Sequence, residues 1–157
     1  MNTTQEHENS SHMAEIELSY KASPLRDRWS ISCPEDAYGL LMDIWNDNTL
    51  DLKESFYVIL LDNSKNCIGW SRISDGGRTA SVVDISQVAV TALLGNANSV
   101  VLAHNHPSQT NYRKFSTADI QLTKRIKEAL KILGITVDDH ILVTRSGFLS
   151  MRNQGLM

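Results

Sequence analysis

Apolar residues recur along this chain at two spacings, one helical and one alternating or continuous, and they divide it into elements. From Thr117 to Leu133 the apolar positions Leu122, Ile126, Ala129, Leu130 and Leu133 form one stripe closed by Gly134, which predicts an amphipathic helix with a glycine stop. "SCPEDAYGLLMDIWND" sets Pro34 near a helix start, acids in the first turn, and Ala37, Leu40, Leu41, Ile44 and Trp45 at helical spacing. Residues 86–95 place Val88, Ala89, Ala92 and Leu93 on one face and end at Gly95, a further helix. "ESFYVILLD" and "CIGWSRIS", joined by "NSKN", read as a β-hairpin, and "TASVVD" after Gly76-Gly77 as a third short strand. "SVVLAH", "ITVDDHILVT" and "GFLSM" supply the remaining strands. The order is helix, three strands, helix, strand, helix, two strands, which is an α/β pattern for a single domain.

Composition supports a folded core without adding a partner. The 157 residues are 41% hydrophobic and 21% charged, values of an ordinary globular chain. A net charge of -3 creates no global field towards nucleic acid or an anionic membrane, so any DNA contact has to be local. Residues 1–28 are polar and poor in aromatic residues and read as a flexible N-terminal arm, with the folded domain over 29–157. The chain start lacks the basic-then-apolar layout of a signal peptide, and no apolar run is long enough to cross a bilayer, so a cytoplasmic protein is expected. Cys33 and Cys67 stand far apart with no C-x-x-C spacing and read as two reduced thiols.

Candidate chemistry concentrates in "VVLAHNHPSQT", residues 100–110, where two histidines one residue apart end an apolar run before Pro107. Strand side chains alternate, so His104 and His106 project on the same side if the chain is extended through them. They can then share one metal ion, although a hydrogen-bonded or solvated pair at a strand end has the same spelling. A catalytic zinc takes three protein ligands at about 2 Å and keeps a position for water. Asp119, at the start of the long helix in "STAD", is the third candidate, and a helix cap formed by Ser116 with Asp119 is the competing account of those four residues. Both can hold together, because a carboxylate has two oxygens. A hydrolytic site further needs a base and an oxyanion donor. Glu54, directly before "SFYVILL", is a candidate base or a solvated carboxylate at a strand start; Ser116 is a candidate donor or only a cap.

Taken together, Glu54, His104-Asn105-His106-Pro107-Ser108 and Ser116-x-x-Asp119 resemble the JAMM (MPN+) metalloprotease motif, and "VVLAHNHPS" is similar to its RadC-like branch. The resemblance runs from about Cys33 to the end, through "ESFYVILLD", "DHILV" and "GFLSMRNQGL". It implies a JAMM/MPN-type curved mixed β-sheet flanked by helices. It also implies Zn2+ held by His104, His106 and Asp119, with Glu54 activating the zinc water against a peptide or isopeptide carbonyl and Ser116 assisting the oxyanion. Two departures fall in one loop: Gln109 stands where the branch has glycine, and "PSQTNYRKFSTA" is longer than the usual spacing. Full-length members resemble this chain only in their C-terminal half, and their upstream helix-hairpin-helix module lies outside the resemblance.

Other readings of the same residues give other functions. Arg113, Lys114, Lys124, Arg125, Lys127 and Lys131 suggest a nucleic-acid-associated module with a structural zinc, of the kind linked to DNA repair, or simply the solvated face of the long helix. An inactive scaffold of the same fold typically lacks metal ligands, and here none is missing. The contiguous "HNH" at 104–106 is not evidence for an HNH nuclease, whose named residues are dispersed. His140 in "DDH" reads as a structural histidine beside the site, held by Asp138 or Asp139, because a fourth ligand would close the water position. A peptide or protein is the expected partner, with a homodimer through the edge strands as a further expectation.

Overall fold

A computed structural model of the chain describes residues 19–21, 24, 28–76, 82–107 and 114–157. Its elements run α1 (Pro34–Ile44), β1 (Ser55–Leu61), β2 (Cys67–Asp75), α2 (Ile85–Leu94), β3 (Ser99–Asn105), α3 (Thr117–Ile132), β4 (Thr136–Thr144) and β5 (Gly147–Ser150). The strands form one five-stranded sheet in the order β2-β1-β3-β4-β5. It is mixed: β3 and β4 are parallel, joined through α3, and the other neighbours are antiparallel.

The two central strands explain why "SFYVILL" and "SVVLAHN" are almost unbroken apolar runs, since every residue of both is buried. A strand covered on both faces needs apolar side chains at odd and even positions alike. One face carries Tyr57, Ile59, Leu61, Val101 and Ala103 against Ala37, Leu40 and Leu41 of α1. The other carries Phe56, Val58, Leu60, Val100 and Leu102 against Val88 and Ala92 of α2 and Ile126 and Leu130 of α3. The result is a three-layer α/β domain with α1 on one side and α2 and α3 on the other.

Three helices and five of the six expected strands are present. Of "TASVVD", residues 79–81 lie outside the described residues, and Val82 to Asp84 form no strand. The reason is local: the Asp84 side chain accepts the Ser86 amide at 2.9 Å and caps α2, and Val82 is 91% exposed, so no sheet face is available to it. The hairpin is as expected, and Ser30 bridges to Asn66 beside it. Most of the arm expected over 1–28 lies outside the described residues; the Tyr20 hydroxyl donates to the Ile68 carbonyl at 2.9 Å. Cys33 and Cys67 are both unpaired. Among the described residues no helix is long and apolar enough to cross a membrane.

Candidate metal centre

The chain leaves the sheet at the end of β3, and α3 starts beside that exit. Alternation along β3 sends His104 to the face of Val100 and Leu102, under α2 and α3, and Asn105 to the opposite face. His106 lies one residue past the strand on the side of His104. Across from them Ser116 caps α3, its Oγ accepting the Asp119 amide at 3.1 Å and donating to Asp119 Oδ2 at 2.7 Å. The Ser116 amide also donates to Oδ2, at 2.8 Å. This reciprocal box turns the Asp119 carboxylate back over the helix N-terminus, where the positive end of the helix dipole favours it.

Three ligand-type atoms converge there. His104 Nε2 is 3.1 Å from His106 Nε2 and 3.4 Å from Asp119 Oδ1, and His106 Nε2 is 3.7 Å from Asp119 Oδ2. Atoms about 2.0–2.1 Å from a tetrahedral ion stand roughly 3.3 Å apart, so these separations fit the edges around one shared cation. Two bare imidazole nitrogens facing each other at this range repel unless a proton or a cation lies between them. His104 is only 2% exposed, whereas His106 and Asp119 are partly open to solvent, which gives the cluster a buried back and an accessible front. Burial pushes the Asp119 carboxyl up, but the neighbouring imidazoles and the Ser116 hydroxyl outweigh it and hold the acid far below the usual carboxylate range. Asp119 is therefore ionised, as a ligand must be.

Four of the five candidate residues thus meet: His104, His106, Asp119 and Ser116. Glu54 is outside the three-ligand cluster, at the head of β1. The β1–β3 register pairs Phe56 with His104 and ends there, which puts Glu54 two residues before the last pair, at the end of β1 that neighbours His104. Glu54 is partly exposed, and its carboxylate has no partner among the described residues. Ser108 to Arg113, including Gln109, lie outside the described residues.

His140 is a correction to the expected pairing. Its ring is held by neither Asp138 nor Asp139: Asp138 pairs with Lys65 at 2.6 Å, and Asp139 accepts the His140 backbone amide and the Ser150 hydroxyl. The ring lies instead between His104, whose Nδ1 is 2.8 Å from His140 Nε2, and Thr123, whose Oγ1 is 2.6 Å from His140 Nδ1. Phe56 and Phe115 pack against it with ring centroids 5.5 and 5.6 Å away. Burial pushes this imidazole well below the usual histidine range. Thr123 and Asn105 were not singled out in the sequence. Thr123 carried a usable signal, lying one helical turn after Asp119 and so on its face.

Fold and cluster together define an α/β domain with a two-histidine, one-carboxylate donor set at the meeting of a central strand and a helix N-terminus. The chain belongs to the RadC-like JAB domain family, whose model matches residues 31–156. It is similar to a UPF0758 protein of Desulforamulus reducens, 39% identical over 136 residues that cover 87% of this chain and 58% of the relative. A UPF0758 protein of Clostridium acetobutylicum is 32% identical over 145 residues, covering 92% and 61%. A third, of Listeria monocytogenes, is 34% identical over 145 residues, covering 91% and 62%. The chain therefore spans about three-fifths of the length of these relatives.

Proposed function

We propose that this domain is a zinc-dependent hydrolase of amide bonds, peptide or isopeptide, with Glu54 as its general base. The observation that carries the reading is the convergence of His104 Nε2, His106 Nε2 and the Asp119 carboxylate at separations suited to one ion. Two imidazoles and one carboxylate, with an open front, are a donor set that suits catalytic zinc. When bound, zinc lowers the pKa of a water and polarises a carbonyl.

The chain's own residues supply the remaining parts. Glu54, at the end of β1 that neighbours His104 and unpaired among the described residues, takes a proton from the attacking water and returns it to the leaving amine. The Ser116 hydroxyl hydrogen is committed to Asp119 Oδ2, so donation to an oxyanion requires it to turn away from that oxygen. Beside His106 lies a small cleft lined by Leu50, Asp51, Thr144 and Arg145. Arg145 there is neutralised by Asp47 and Asp51, at 2.6 and 2.8 Å, so the cleft does not select for an acidic substrate.

The test is metal content of protein purified without added metal, followed by an amide-cleavage screen. About one zinc per chain is expected, lost in Asp119→Ala, with cleavage lost in Glu54→Gln. Equal cleavage by wild type, Glu54→Gln and His104→Ala would sink the proposal.

A second reading, a nucleic-acid-associated module with a structural zinc, draws on Lys114, Lys124, Arg125, Lys127 and Lys131, all exposed around and along α3; Arg113 lies outside the described residues. A solvated helix face requires the same exposure, since Thr123, Ile126 and Leu130 occupy the buried side. DNA affinity that falls steeply with salt would support this second reading, and no binding at low salt would end it.

A further inference from the structure

We propose that Thr123 and His140 are positioning residues that set the proton register of His104, holding it as the tautomer with Nδ1 protonated and Nε2 bare. The inference rests on the metal reading above for its purpose, but its evidence is a separate set of contacts behind the cluster. These residues face away from solvent: His140 is 0% exposed, His104 2% and Thr123 3%. Buried polar groups of this kind have to satisfy one another, because no water competes for them.

The register follows from counting protons along the line. Thr123 Oγ1 is 2.7 Å from the Asp119 backbone carbonyl, which can only accept, so the single hydroxyl hydrogen of Thr123 goes there. The same oxygen then faces His140 Nδ1 at 2.6 Å with a lone pair, and that nitrogen must carry a hydrogen. A fully buried imidazole stays neutral. Its Nε2 is therefore bare and accepts from His104 Nδ1 at 2.8 Å. His104 with its hydrogen on Nδ1 has, as the neutral tautomer, its lone pair on Nε2, the atom that faces His106 and Asp119.

The opposite register fails at one end. It would protonate His104 Nε2 and turn the Thr123 hydrogen towards His140, leaving two oxygens 2.7 Å apart with no hydrogen between them. The relay is thus directional because it is anchored on a main-chain carbonyl, and that carbonyl belongs to Asp119, the residue whose side chain supplies the third ligand. Phe56 and Phe115 on His140 restrict the ring from rotating out of line. A metal-ligating histidine generally needs its other ring nitrogen held by a partner, and outer partners of this kind tune affinity by roughly 10- to 100-fold.

Nitrogen-15 NMR of the imidazoles in zinc-free wild type, at a pH where they are neutral, reads the register directly. His140 is expected to show a protonated Nδ1 and a bare Nε2. Thr123→Val, which keeps the shape and removes the hydroxyl, is expected to mix the His140 tautomers and weaken zinc binding roughly 10- to 100-fold in a chelator competition, and Thr123→Ser to restore both. A His140 protonated at Nε2 in the wild type would overturn the inference whether or not the variants fold. So would a folded Thr123→Val with unchanged tautomers and unchanged zinc affinity. A wild type that takes up no zinc but shows the expected tautomers, mixed by Thr123→Val, would leave the register standing and remove the metal reading instead.

Discussion

The side-chain carbonyl of Asn105 accepts the backbone amide of Ser55 at 2.8 Å, across the sheet from the face that carries the histidines. The amide nitrogen of the same side chain donates to the carbonyls of Lys53, at 2.9 Å, and Leu50. Asn105 thereby grips the chain on both sides of Glu54. The residue between the two histidines is thus a fastening: alternation sends it to the far face, where it holds the segment that delivers the candidate base. Its side chain is fully buried, so removing it strands two carbonyls and one amide. Asn105→Leu is expected to lower stability by about 3 kcal/mol or more, at roughly 1–3 kcal/mol per stranded group. A denaturant midpoint that falls with an unchanged slope would show this. Metal content should hold in the folded fraction while hydrolysis falls, because Glu54 and not a ligand is released.

Gly95 ends α2 for a reason other than backbone freedom. Its φ of -75° and ψ of -3° are open to any residue. What excludes a side chain is space: a Cβ there would stand 2.3 Å from Leu60 Cδ1 and 3.2 Å from the Thr91 carbonyl, and Leu60 is a core residue. Gly95→Ala is expected to destabilise by about 1–3 kcal/mol, the range for overpacking. If backbone entropy were the only issue, the same change would be neutral or stabilising. Thermal or urea unfolding of the single variant separates the two accounts. Gly134, with φ +74°, is the opposite case, a left-handed residue after α3 where the absence of Cβ is what counts.

Much of this was legible in the sequence because local periodicity decides it. The stripe of α3, the hairpin and the two-sided burial of β1 and β3 are all spelled by short-range patterns. His104, His106 and Asp119 were legible as a candidate set because strand alternation and a helix cap are local rules. Glu54 was not singled out by any local rule, since a carboxylate before a strand is ordinary, and only the family resemblance raised it. The partners of His140 were illegible. Thr123 and His140 meet because β4 lies parallel to β3 with His140 beside Leu102, a juxtaposition set by the crossover through α3. The nearby acids Asp138 and Asp139 were the obvious partners in sequence, but the strand turns them elsewhere. "TASVVD" failed for a related reason: β-propensity was present, but the cap at Asp84 and the exposure of Val82 left no sheet for it to join.

The N-terminus of α1 should leave a mark on the acid side of the stability curve. The Ser32 hydroxyl and amide, at 2.7 and 2.9 Å, and the Cys33 amide, at 3.1 Å, donate to Asp36 Oδ2. These bonds, led by the Ser32 hydroxyl, lower its pKa from 3.8 to about 2. A carboxyl whose folded pKa is depressed adds stability that is fully present above its unfolded value and is lost as the pH falls through the folded one. Wild type is therefore expected to exceed Asp36→Ala by a constant margin above pH 3.8, a margin that narrows as the pH falls towards 2. Urea unfolding of both proteins across this window checks it, and a margin independent of pH would mean that the capping contacts do not depend on the ionised carboxylate.

Glu54→Gln and Ser116→Ala should separate chemistry from scaffolding. Glutamine keeps the size of Glu54 and removes its basicity, and with no side-chain partner among the described residues at this position the change should leave stability and metal content intact. If Glu54 is the base, hydrolysis falls roughly 10²- to 10⁴-fold. Ser116→Ala removes the cap of α3 and one hydrogen bond to Asp119 Oδ2, which should lower stability by about 1 kcal/mol. A ligand deprived of that bond is also less firmly held, so metal affinity should drop as well. The informative quantity is turnover measured with zinc saturating. If it matches wild type, Ser116 serves only to hold Asp119; if it falls while the site is full, the hydroxyl also turns towards the oxyanion.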